Sequence, residues 1–478
     1  KVGGCNSTLI SGNCLIKGTC YANGAVDPAN ACQRCDAAKA GTSWGLVAPT
    51  PTGCPWAVGL GGAFNDIASD IAVDSAGNSY AVGLFKGTAT FGSSTLTSKG
   101  DMDLFVVKVG PKGSVAWATS AGGSSFDNAT GVAVDSAGNI TVTGSFKGTA
   151  TFGSLTRTAS GGSDIFVARL TSSGAFSWVT TLGSTADDFG QAVALDASGK
   201  PHVLGNFSGS MIVAGKSYVP VGVADSMVVQ LSTGGQPLWG APSGGIGGEV
   251  GTAIAVDSSG GVTFTGTYFS YASFGTITIS NNNIQSNDIF MARLNSSGTF
   301  TWALTAGSSS VDYAGGVATD SAGNAYISGS LGGGGAVAGT ALSGGKFFLA
   351  KISSAGTLAW LNPGWAALDM RAEDLAADSS GNIYGAGYFS GTLTLGSTTL
   401  TAAGARDMSA FKVNSSGAFT WATAAGGAAY DYGYGVAVTS TGDVFLVGTF
   451  QTKATFGLPS LTLSTSSSGD EDVFIYKP

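Results

Sequence analysis

The sequence predicts an all-β protein: a seven-bladed β-propeller of four-stranded antiparallel blades, closed by its N-terminal strand and preceded by a small disulfide-rich module. One unit of about 61 residues recurs, apolar residues alternate with the period of two that strands show, and all six cysteines lie at one end. Seven repeated four-stranded units are typical of a propeller. Tryptophans spaced 61, 61, 61, 63, 58 and 61 residues apart mark the repeat: Trp56, Trp117, Trp178, Trp239, Trp302, Trp360 and Trp421.

The second complete copy shows how one unit is built. Its alternating segments predict four strands, at residues 131–135, 140–146, 164–170 and 175–179. Tight turns at 136–139 and 171–174 join the first to the second strand and the third to the fourth. A longer segment, 147–163, separates the two pairs. Each unit is therefore expected to be a four-stranded antiparallel meander.

The order of the elements predicts how the ring closes. The repeat begins with a fourth strand at Trp56 and ends with a third strand, Asp472 to Lys477. The last unit thus lacks its own fourth strand, and the first fragment lacks the other three. We expect the strand at Trp56 to complete the last blade, because closure removes the exposed sheet edges that promote aggregation.

The cysteines predict a small module at residues 1–54, separate from a propeller at residues 55–478. An even, clustered set in a Gly/Asn/Pro-rich segment favours three disulfides, with the pairing left open. A zinc site at Cys32 and Cys35 is the alternative, but no second Cys-x-x-Cys or His pair accompanies it. A thioredoxin-type site would need a surrounding βαβ pattern, which is missing. The predicted disulfide cysteines are Cys5, Cys14, Cys20, Cys32, Cys35 and Cys54.

Composition and charge narrow the possible partners and the location. A net charge of −8 and a pI near 4.6 argue against a nucleic-acid partner, which would favour a basic stripe. No apolar run approaches the ~20 residues that a membrane-spanning helix needs. The chain begins at Lys1 without a signal peptide. Together with the disulfides, this predicts a processed protein that is secreted or held at the cell surface.

Several motifs carry a resemblance to a known family. Asp-Ser-Ala-Gly-Asn at residues 135–139, Gly-Thr-Ala-Thr-Phe-Gly at 148–153 and Asp-Ile-Phe-Val-Ala-Arg-Leu at 164–170 resemble the SBBP-type seven-bladed propeller repeat of exported bacterial proteins. The resemblance covers residues 55–478. The segment from Cys14 to Asp36 is similar to a small cysteine-rich module of exported multidomain proteins. Neither resemblance implies a defined enzymatic activity.

Charged rows distinguish the two ends of the predicted ring. The short turns lie at one end, the bottom, and the longer connections lie at the other, the top. At the bottom, Asp74, Asp135, Asp196, Asp257, Asp320 and Asp378 face Lys108, Arg169, Arg293, Lys351, Lys412 and Lys477, with Gln230 interrupting the basic row. At the top, first strands begin at Asp66, Asp127, Asp188, Glu249, Asp312 and Asp431, with Met370 as the exception. Third strands begin at Asp103, Asp164, Asp225, Asp288, Asp407 and Asp472, with Lys346 as the exception.

The top is the predicted functional face, because long loops on rigid scaffolds commonly carry function. A carboxylate repeated in every unit more commonly caps a turn, but the row at Asp66, Asp127, Asp188, Glu249, Asp312 and Asp431 offers a candidate site for a divalent cation. Aromatics beside carboxylates can hold sugar rings, whereas the alternative is that they fill gaps between blades. The candidate ligand-binding residues, where the repeat is broken, are Trp365, Arg371, Tyr430, Asp431, Tyr432 and Tyr313.

The sequence favours a non-catalytic protein. Its only histidine, His202, occupies a strand position that holds Tyr, Thr or Phe in the other units, so a packed side chain is expected. Nucleophilic triads and His-metal chemistry find no residues to support them. The predicted function is extracellular binding, adhesion or assembly, with a protein or glycan partner, possible self-assembly and no required cofactor. The alternatives are a glycan-binding lectin and a carbohydrate-active enzyme that uses top-face carboxylates.

Overall fold

The computed structural model describes residues 55–281, 286–366, 368–457, 461–465 and 470–478. Before residue 55 it describes only the backbone of five strands: Asn13–Ile16, Thr19–Ala22, Val26–Asp27, Asn30–Cys35 and Trp44–Leu46. The first two of these pair with each other, and the other three form a second sheet. The side chains of the predicted disulfide cysteines, Cys5, Cys14, Cys20, Cys32, Cys35 and Cys54, lie outside the described residues.

From residue 55 the described chain is all β, as predicted, and consists of antiparallel sheets. We number the repeated units by their first strands. These first strands are Ile67–Val73, Asp127–Val134, Asp188–Leu195, Glu249–Val256, Tyr313–Thr319, Met370–Ala377 and Asp431–Val438. The second strands are Ser79–Phe91, Ile140–Phe152, Pro201–Phe207, Val262–Tyr268, Ala325–Ser330, Ile383–Phe389 and Val444–Gln451.

The outer half of each unit continues the same meander. The third strands are Ser94–Val109, Leu155–Leu170, Asp225–Leu231, Asp288–Leu294, Phe347–Ile352, Asp407–Val413 and Glu471–Lys477. The fourth strands of units 1 to 6 are Val115–Gly123, Phe176–Leu182, Pro237–Gly244, Phe300–Ser308, Leu358–Ala366 and Phe419–Gly426. Each first strand contacts the first strand of the next unit, and that of unit 7 contacts that of unit 1, so the sheets form a propeller-type ring.

The strand Trp56–Gly62 supplies the fourth strand of unit 7. It pairs antiparallel with Glu471–Lys477 in a register that runs from Trp56 opposite Lys477 to Leu60 opposite Val473. This is the pairing that the order of the elements predicted. Trp56 and Leu60 are buried in the core between units 7 and 1. The N-terminal strand therefore holds the two ends of the ring together.

The segment between the second and third strands forms a β-hairpin, which the sequence analysis had left as a long connection. In units 1 and 2 the second and third strands themselves extend into it. In the other units separate strands form it: Met211–Val213 with Lys216–Tyr218, Tyr271–Phe274 with Ile277–Ser280, Gly335–Val337 with Thr340–Ala341, Thr392–Leu395 with Thr398–Thr401, and Lys453–Phe456 with Thr462–Ser464. Because its apolar side chains, such as Phe91 and Phe152, are buried, the hairpin belongs to the core.

Most hairpins pair with the unit that precedes them. In unit 1, Ala89 and Thr90 pair with Gly62 and Gly61 of the closing strand. The same pairing joins each of the other hairpins to the fourth strand of the preceding unit, except in unit 3, where the hairpin forms its own two-stranded sheet. Backbone hydrogen bonds thus join neighbouring units across most interfaces.

The repeated tryptophans join neighbouring units at the bottom. Trp117 donates its indole N–H to the carbonyl of Ser172, in the outer turn of the next unit, at 3.2 Å. Its ring packs on Gly174 of that turn, where an added Cβ would lie 2.9 Å from the indole. Trp56, Trp178 and Trp302 make the equivalent hydrogen bond. These tryptophans therefore pack between units.

We expect Gly174→Ala to destabilise the ring more than Gly138→Ala. Both glycines have positive φ, +86° and +79°, so both substitutions carry a backbone cost of about 1–2 kcal/mol. Only at Gly174 would the new methyl group displace a tryptophan, because the nearest atom at Gly138 is the Ser172 Cβ at 3.5 Å. Overpacking of this kind costs a further ~1–3 kcal/mol. Urea denaturation measures the difference, and equal losses would show that the indole contact is unimportant.

Candidate functional site

A bulge in every first strand turns one residue toward the central channel. The register shifts fall between Ala68 and Asp70 in unit 1, and at the equivalent place in the other six units. The residue type at the bulge differs from unit to unit, except that units 2 and 4 both have threonine. These residues are Ser69, Thr130, Gln191, Thr252, Gly315, Glu373 and Tyr434. All of them except Gly315 line a channel whose cavity measures about 350 Å³. A regular scaffold thus presents an asymmetric set of side chains.

The acidic side of the channel lies at units 1 and 6. The Oδ2 atoms of Asp70 and Asp374 accept hydrogen bonds from the backbone N–H groups of Val132 and Val436, in the next units, at 2.7 and 2.8 Å. Burial raises the pKa of Asp374 to about 7. Burial, followed by repulsion from Asp374, raises the pKa of Asp70. Glu373, whose pKa burial also raises, adds a third carboxyl group to this side.

Alternating tyrosine and arginine side chains form a cluster on the top of units 5 to 7. The guanidinium of Arg371 lies 3.6 Å from the ring centroid of Tyr313, and that of Arg406 lies 5.0 Å from the centroid of Tyr388. The rings of Tyr388 and Tyr432 meet edge to face at 4.9 Å. Such contacts are worth about 0.5–2 kcal/mol each. We call Tyr313, Arg371, Tyr388, Arg406, Tyr430 and Tyr432 the tyrosine–arginine cluster.

The cluster leads from the exposed rim to the channel. Tyr430, Tyr432 and Tyr434 stack with centroid separations of 6.3 and 5.7 Å, and Tyr434 lines the channel. Arg406 is fixed by an ion pair with Asp369 at 3.1 Å and a hydrogen bond to the Tyr432 hydroxyl at 3.3 Å. Tyr430 is 45% exposed. A partner on the rim would therefore contact side chains that continue into the channel.

Within the described residues, Arg371 has few polar partners. Its Nε atom is buried and has no hydrogen-bond partner among them. Its guanidinium packs on Tyr313 and also lies 6.0 Å from the centroid of Tyr388. This cation is therefore held in place by aromatic rings, and N–H groups remain to be satisfied by solvent or a ligand.

The structure brings together four of the six predicted ligand-binding residues: Tyr313, Arg371, Tyr430 and Tyr432. Asp431 is adjacent but buried, where it accepts backbone hydrogen bonds. Trp365 is 52% exposed at the end of a fourth strand, opposite Thr394 of the next hairpin, and makes no ring contact with the cluster among the described residues. The sequence analysis missed Tyr388, Arg406 and Glu373. Alignment of the seven first strands would have found Glu373, because the bulge position varies in size and charge while the residue before it is Ala or Gly in every unit.

The top carboxylates form pairs across unit interfaces. Asp127 of unit 2 accepts hydrogen bonds from the N–H groups of Gly123 and Lys147 at 2.7 and 3.1 Å, and faces Asp103 of unit 1. A Cβ on Gly122 would lie 2.5 Å from the Asp103 carboxyl carbon, so only glycine fits. The equivalent pairs are Asp188 with Asp164, Glu249 with Asp225, Asp312 with Asp288, Asp431 with Asp407, and Asp66 with Asp472.

Both exceptions to the top rows fall at one interface. Met370 stands where the first strand of unit 6 would carry its carboxylate, and Lys346 stands where the third strand of unit 5 would carry the partner. Both members of the pair are therefore replaced together. Like-charged neighbours raise each other's pKa, so a buried carboxyl pair is stable when it shares a proton.

The predicted cation row has a clear structural task in this arrangement. Its members bind backbone N–H groups of two neighbouring units, for example Gly62 and Lys86 at Asp66, or Ser308 and Gly332 at Asp312. Among the described residues, no three His, Cys, Asp or Glu side chains are grouped so that they could hold a metal ion. Cation binding at Asp66, Asp127, Asp188, Glu249, Asp312 and Asp431 stays a prediction.

Comparison with protein-family models and with curated proteins finds no match. Several solved structures are similar in shape. A gluconolactonase from Xanthomonas campestris is 13% identical over 71% of this chain and 90% of its own, with a TM-score of 0.30. A calcium-binding protein, regucalcin, from Agrobacterium tumefaciens is 11% identical over 67% and 81%, with a TM-score of 0.32. A protein of unknown function from Dyadobacter fermentans is 10% identical over 88% and 99%, with a TM-score of 0.39.

Similarity at this level says nothing about function. The resemblance to the SBBP-type repeat and to a cysteine-rich module, which rested on motifs, stays a prediction. No helix among the described residues has the length and hydropathy of a membrane span.

Proposed function

We propose that the chain is a seven-bladed propeller that acts as a non-catalytic binding or assembly scaffold, secreted or at the cell surface. Its partner, an extracellular protein or glycan, would bind the top face at the tyrosine–arginine cluster. The observation that carries this proposal is the asymmetry of the cluster. Tyr, Arg and Tyr occupy one first-strand register, at Tyr313, Arg371 and Tyr432, where units 1 to 4 carry Ile67, Asn128, Phe189 and Val250. A single partner needs such a unique set of contacts.

Exposed apolar residues elsewhere on the top face, in units 1 to 4, support a large partner. Phe64 and Phe126, in the connections that lead into first strands, are 50% and 43% exposed. Phe189 and Val250, in the first strands of units 3 and 4, are 43% and 45% exposed. Surface patches that combine aromatic, apolar and arginine side chains are typical of macromolecular interfaces. The same side chains also suit contact between copies of this chain, so self-assembly belongs to the proposal.

The lectin alternative has less ring surface than the sequence suggested. Both faces of Tyr432 are flanked by parallel rings, and Arg371 covers one face of Tyr313. The outer face of Tyr430 and the ring of Trp365 remain for stacking on a sugar. Binding of a glycan at these two positions would favour the lectin over a protein partner.

The enzyme alternative can be tested at the acidic side of the channel. The channel carboxyl groups Asp70, Glu373 and Asp374 have raised pKa values, as a general acid requires. Asp70 and Asp374, however, already accept backbone hydrogen bonds that join units. Turnover of labelled polysaccharides that is lost in Glu373→Gln would establish catalysis in place of binding.

We expect the double variant Tyr432→Ala, Arg406→Ala to lose binding at least about tenfold, as for loss of an interface hot spot. Trp365→Ala, at a separate exposed position, is the matched control and should bind as the unaltered chain does. Labelled protein on glycan arrays and on matrix-coated surfaces, together with sedimentation velocity for self-association, provides the measurement. Loss of binding in Trp365→Ala with retention in the double variant would contradict the proposal.

A further inference from the structure

The bottom ion pairs follow one design in units 2 and 4. The guanidinium of Arg169 pairs with Asp135 and donates to the Thr141 hydroxyl at 2.9 Å and to the carbonyl of Gly199, in the next unit, at 3.4 Å. In unit 4, Arg293 pairs with Asp257, and it reaches the Thr263 hydroxyl and the Gly323 carbonyl at 3.2 and 2.9 Å. A carboxylate, a second-strand side chain and the next unit's turn carbonyl thus surround each guanidinium.

Unit 3 keeps the carboxylate, at Asp196, but has different residues at the positions that bind this carboxylate in other units. Gln230 stands at the arginine position, His202 at the threonine position, and Lys200 where four other units have an asparagine that binds the carboxylate. The Oδ1 atom of Asp196 accepts hydrogen bonds from Ser198 and Lys200 in its own turn. Its Oδ2 atom has no hydrogen-bond or ion-pair partner among the described residues.

The other units show what this oxygen normally binds. Oδ2 of Asp74 accepts from the Asn78 amide and the Tyr80 hydroxyl at 2.8 and 2.9 Å. Oδ2 of Asp320 accepts from the corresponding amide and hydroxyl and pairs with Lys351 at 3.3 Å. Oδ2 of Asp196 is therefore the exception among the six aspartates of this row.

A cavity of about 250 Å³ lies beside this carboxylate at the interface of units 3 and 4. Its walls include Asp196 and Gln230 of unit 3, with Gly260 and Ser296 of unit 4. Gly260 is the turn glycine equivalent to Gly199 and Gly323, whose carbonyls bind the arginines of the preceding units. The cavity thus combines two of the groups that surround a guanidinium in units 2 and 4, the carboxylate and the turn of the next unit, with Gln230 in place of the arginine.

The charge state of the site suits a cation. Burial opposes ionisation of Asp196, but hydrogen bonds from Ser198 and Lys200 outweigh it and lower the pKa of this carboxyl. Burial lowers the pKa of His202, which is fully buried beside Gln230, with 2.8 Å between their Nε2 atoms. His202 is therefore a packed, neutral side chain, as expected. The ammonium of Lys200, which lines the cavity, is the competing cation in the chain itself.

We propose that this cavity binds a guanidinium group supplied from outside the chain, either by a small guanidinium compound or by an arginine side chain of a partner. The Oδ2 atom of Asp196 accepts from one nitrogen of this guanidinium, and the Gly260 carbonyl in the turn of unit 4 accepts from a second, as the equivalent atoms do in units 2 and 4. A planar guanidinium suits this arrangement better than an ammonium does, because its fixed N–H groups reach the carboxylate and the turn carbonyl from two separate nitrogens.

Titration with ethylguanidinium, followed by saturation-transfer NMR and by thermal denaturation, tests this on the full chain. We expect saturable binding of one equivalent and a rise in Tm. Gln230→Arg places a guanidinium in the cavity and should weaken binding at least tenfold, as should Asp196→Asn. Tetramethylammonium, which has the charge but no N–H groups, should not bind. An arginine-bearing peptide and the same peptide with citrulline distinguish a partner side chain from a free compound.

The complementary variants keep the proposal falsifiable. Arg169→Gln should create a second site in unit 2 and raise the stoichiometry to two. Lys200→Gln should strengthen binding if the lysine competes for Asp196. Absence of binding to the unaltered chain, or binding by Gln230→Arg and Asp196→Asn that is as tight as that of the unaltered chain, would overturn the proposal, and neither result would bear on the top-face function.

Discussion

Deletion of residues 1–62 is expected to open the ring and to lower the thermal stability of all seven units. The deletion removes the whole closing strand, including the buried side chains of Trp56 and Leu60. Their burial alone represents about 3–6 kcal/mol. The deletion also exposes the backbone of Glu471–Lys477 and of the first hairpin. Exposed strand edges of this kind pair readily with other chains. We therefore expect a fall in Tm of about 10 °C or more, with aggregation.

Deletion of residues 1–50 is the control, because it leaves the closing strand in place. It should melt within a few degrees of the full chain by differential scanning calorimetry. A synthetic peptide of residues 55–64 should restore stability to the longer deletion by adding a strand in trans. Equal melting temperatures for both deletions would show that the ring does not depend on this strand.

The carboxyl pairs predict that the protein is most stable in mildly acidic solution. Burial, joined by repulsion within each pair, raises the pKa of Asp127 to about 6, of Asp431 to about 7 and of Glu249 to about 8. Between pH 4 and 8 the folded state therefore keeps protons that the unfolded chain releases. The stability that these groups contribute is complete below pH 4 and is lost as the pH rises through their folded pKa values.

The bottom aspartates act in the opposite direction. At Asp74, Asp135 and Asp320, burial is outweighed by hydrogen bonds from the turn, so that the pKa is lowered. Their contribution is present above pH 4 and is lost as the pH falls below it. The two rows together place the maximum of stability at about pH 4–6. We expect Tm to fall by on the order of 10 °C between pH 5 and pH 9, since one pKa unit is worth about 1.4 kcal/mol.

Glu249→Gln identifies the source of this dependence. The neutral amide replaces a carboxyl whose pKa is raised to about 8, so the variant should melt above the unaltered chain at pH 9 and lose that advantage at pH 5. Asp101→Asn, which alters an exposed carboxylate, should change Tm little at either pH. Thermal melts in matched ionic strength make the comparison. A Tm that rises from pH 5 to pH 9 would contradict the shared-proton description.

The architecture followed from the sequence because each of its signals is local and repeated. Period-two alternation predicted the strands, and the position of Trp56 relative to the last third strand predicted the closure. The hairpins were not predicted because all except that of unit 3 also pair with the fourth strand of the preceding unit. No local sequence pattern indicates a contact with a strand in another unit. The Thr-Ala-Thr-Phe motif alternates as strands do, but only burial of Phe91 and Phe152 against the neighbouring core explains it.

Only part of the candidate site was predicted, because the rest depends on contacts between residues that are distant in sequence. Tyr430 and Tyr432 attracted attention as neighbours in sequence, whereas Tyr388 and Arg406 join them only through the packing of different strands. Trp365 broke the repeat in sequence, yet the strand ends at the outer side of its unit. A departure from the repeat therefore shows which positions of a unit are unusual. Which of these unusual residues contact each other depends on the fold. Gln230 and His202 are a further example at the bottom of the ring, because they depart from the repeat at separate sequence positions and are in contact in the fold.

The pairing of Trp56 with Lys477 also determines how the molecule responds to pulling. The chain enters the closing strand and leaves its partner at the same end of one antiparallel pair, so the two exits lie side by side. Tension applied across both exits would load the backbone hydrogen bonds one after another, and the pair would unzip at low force. A chain pulled by both exits would therefore release its closing strand before the other units of the ring come under load.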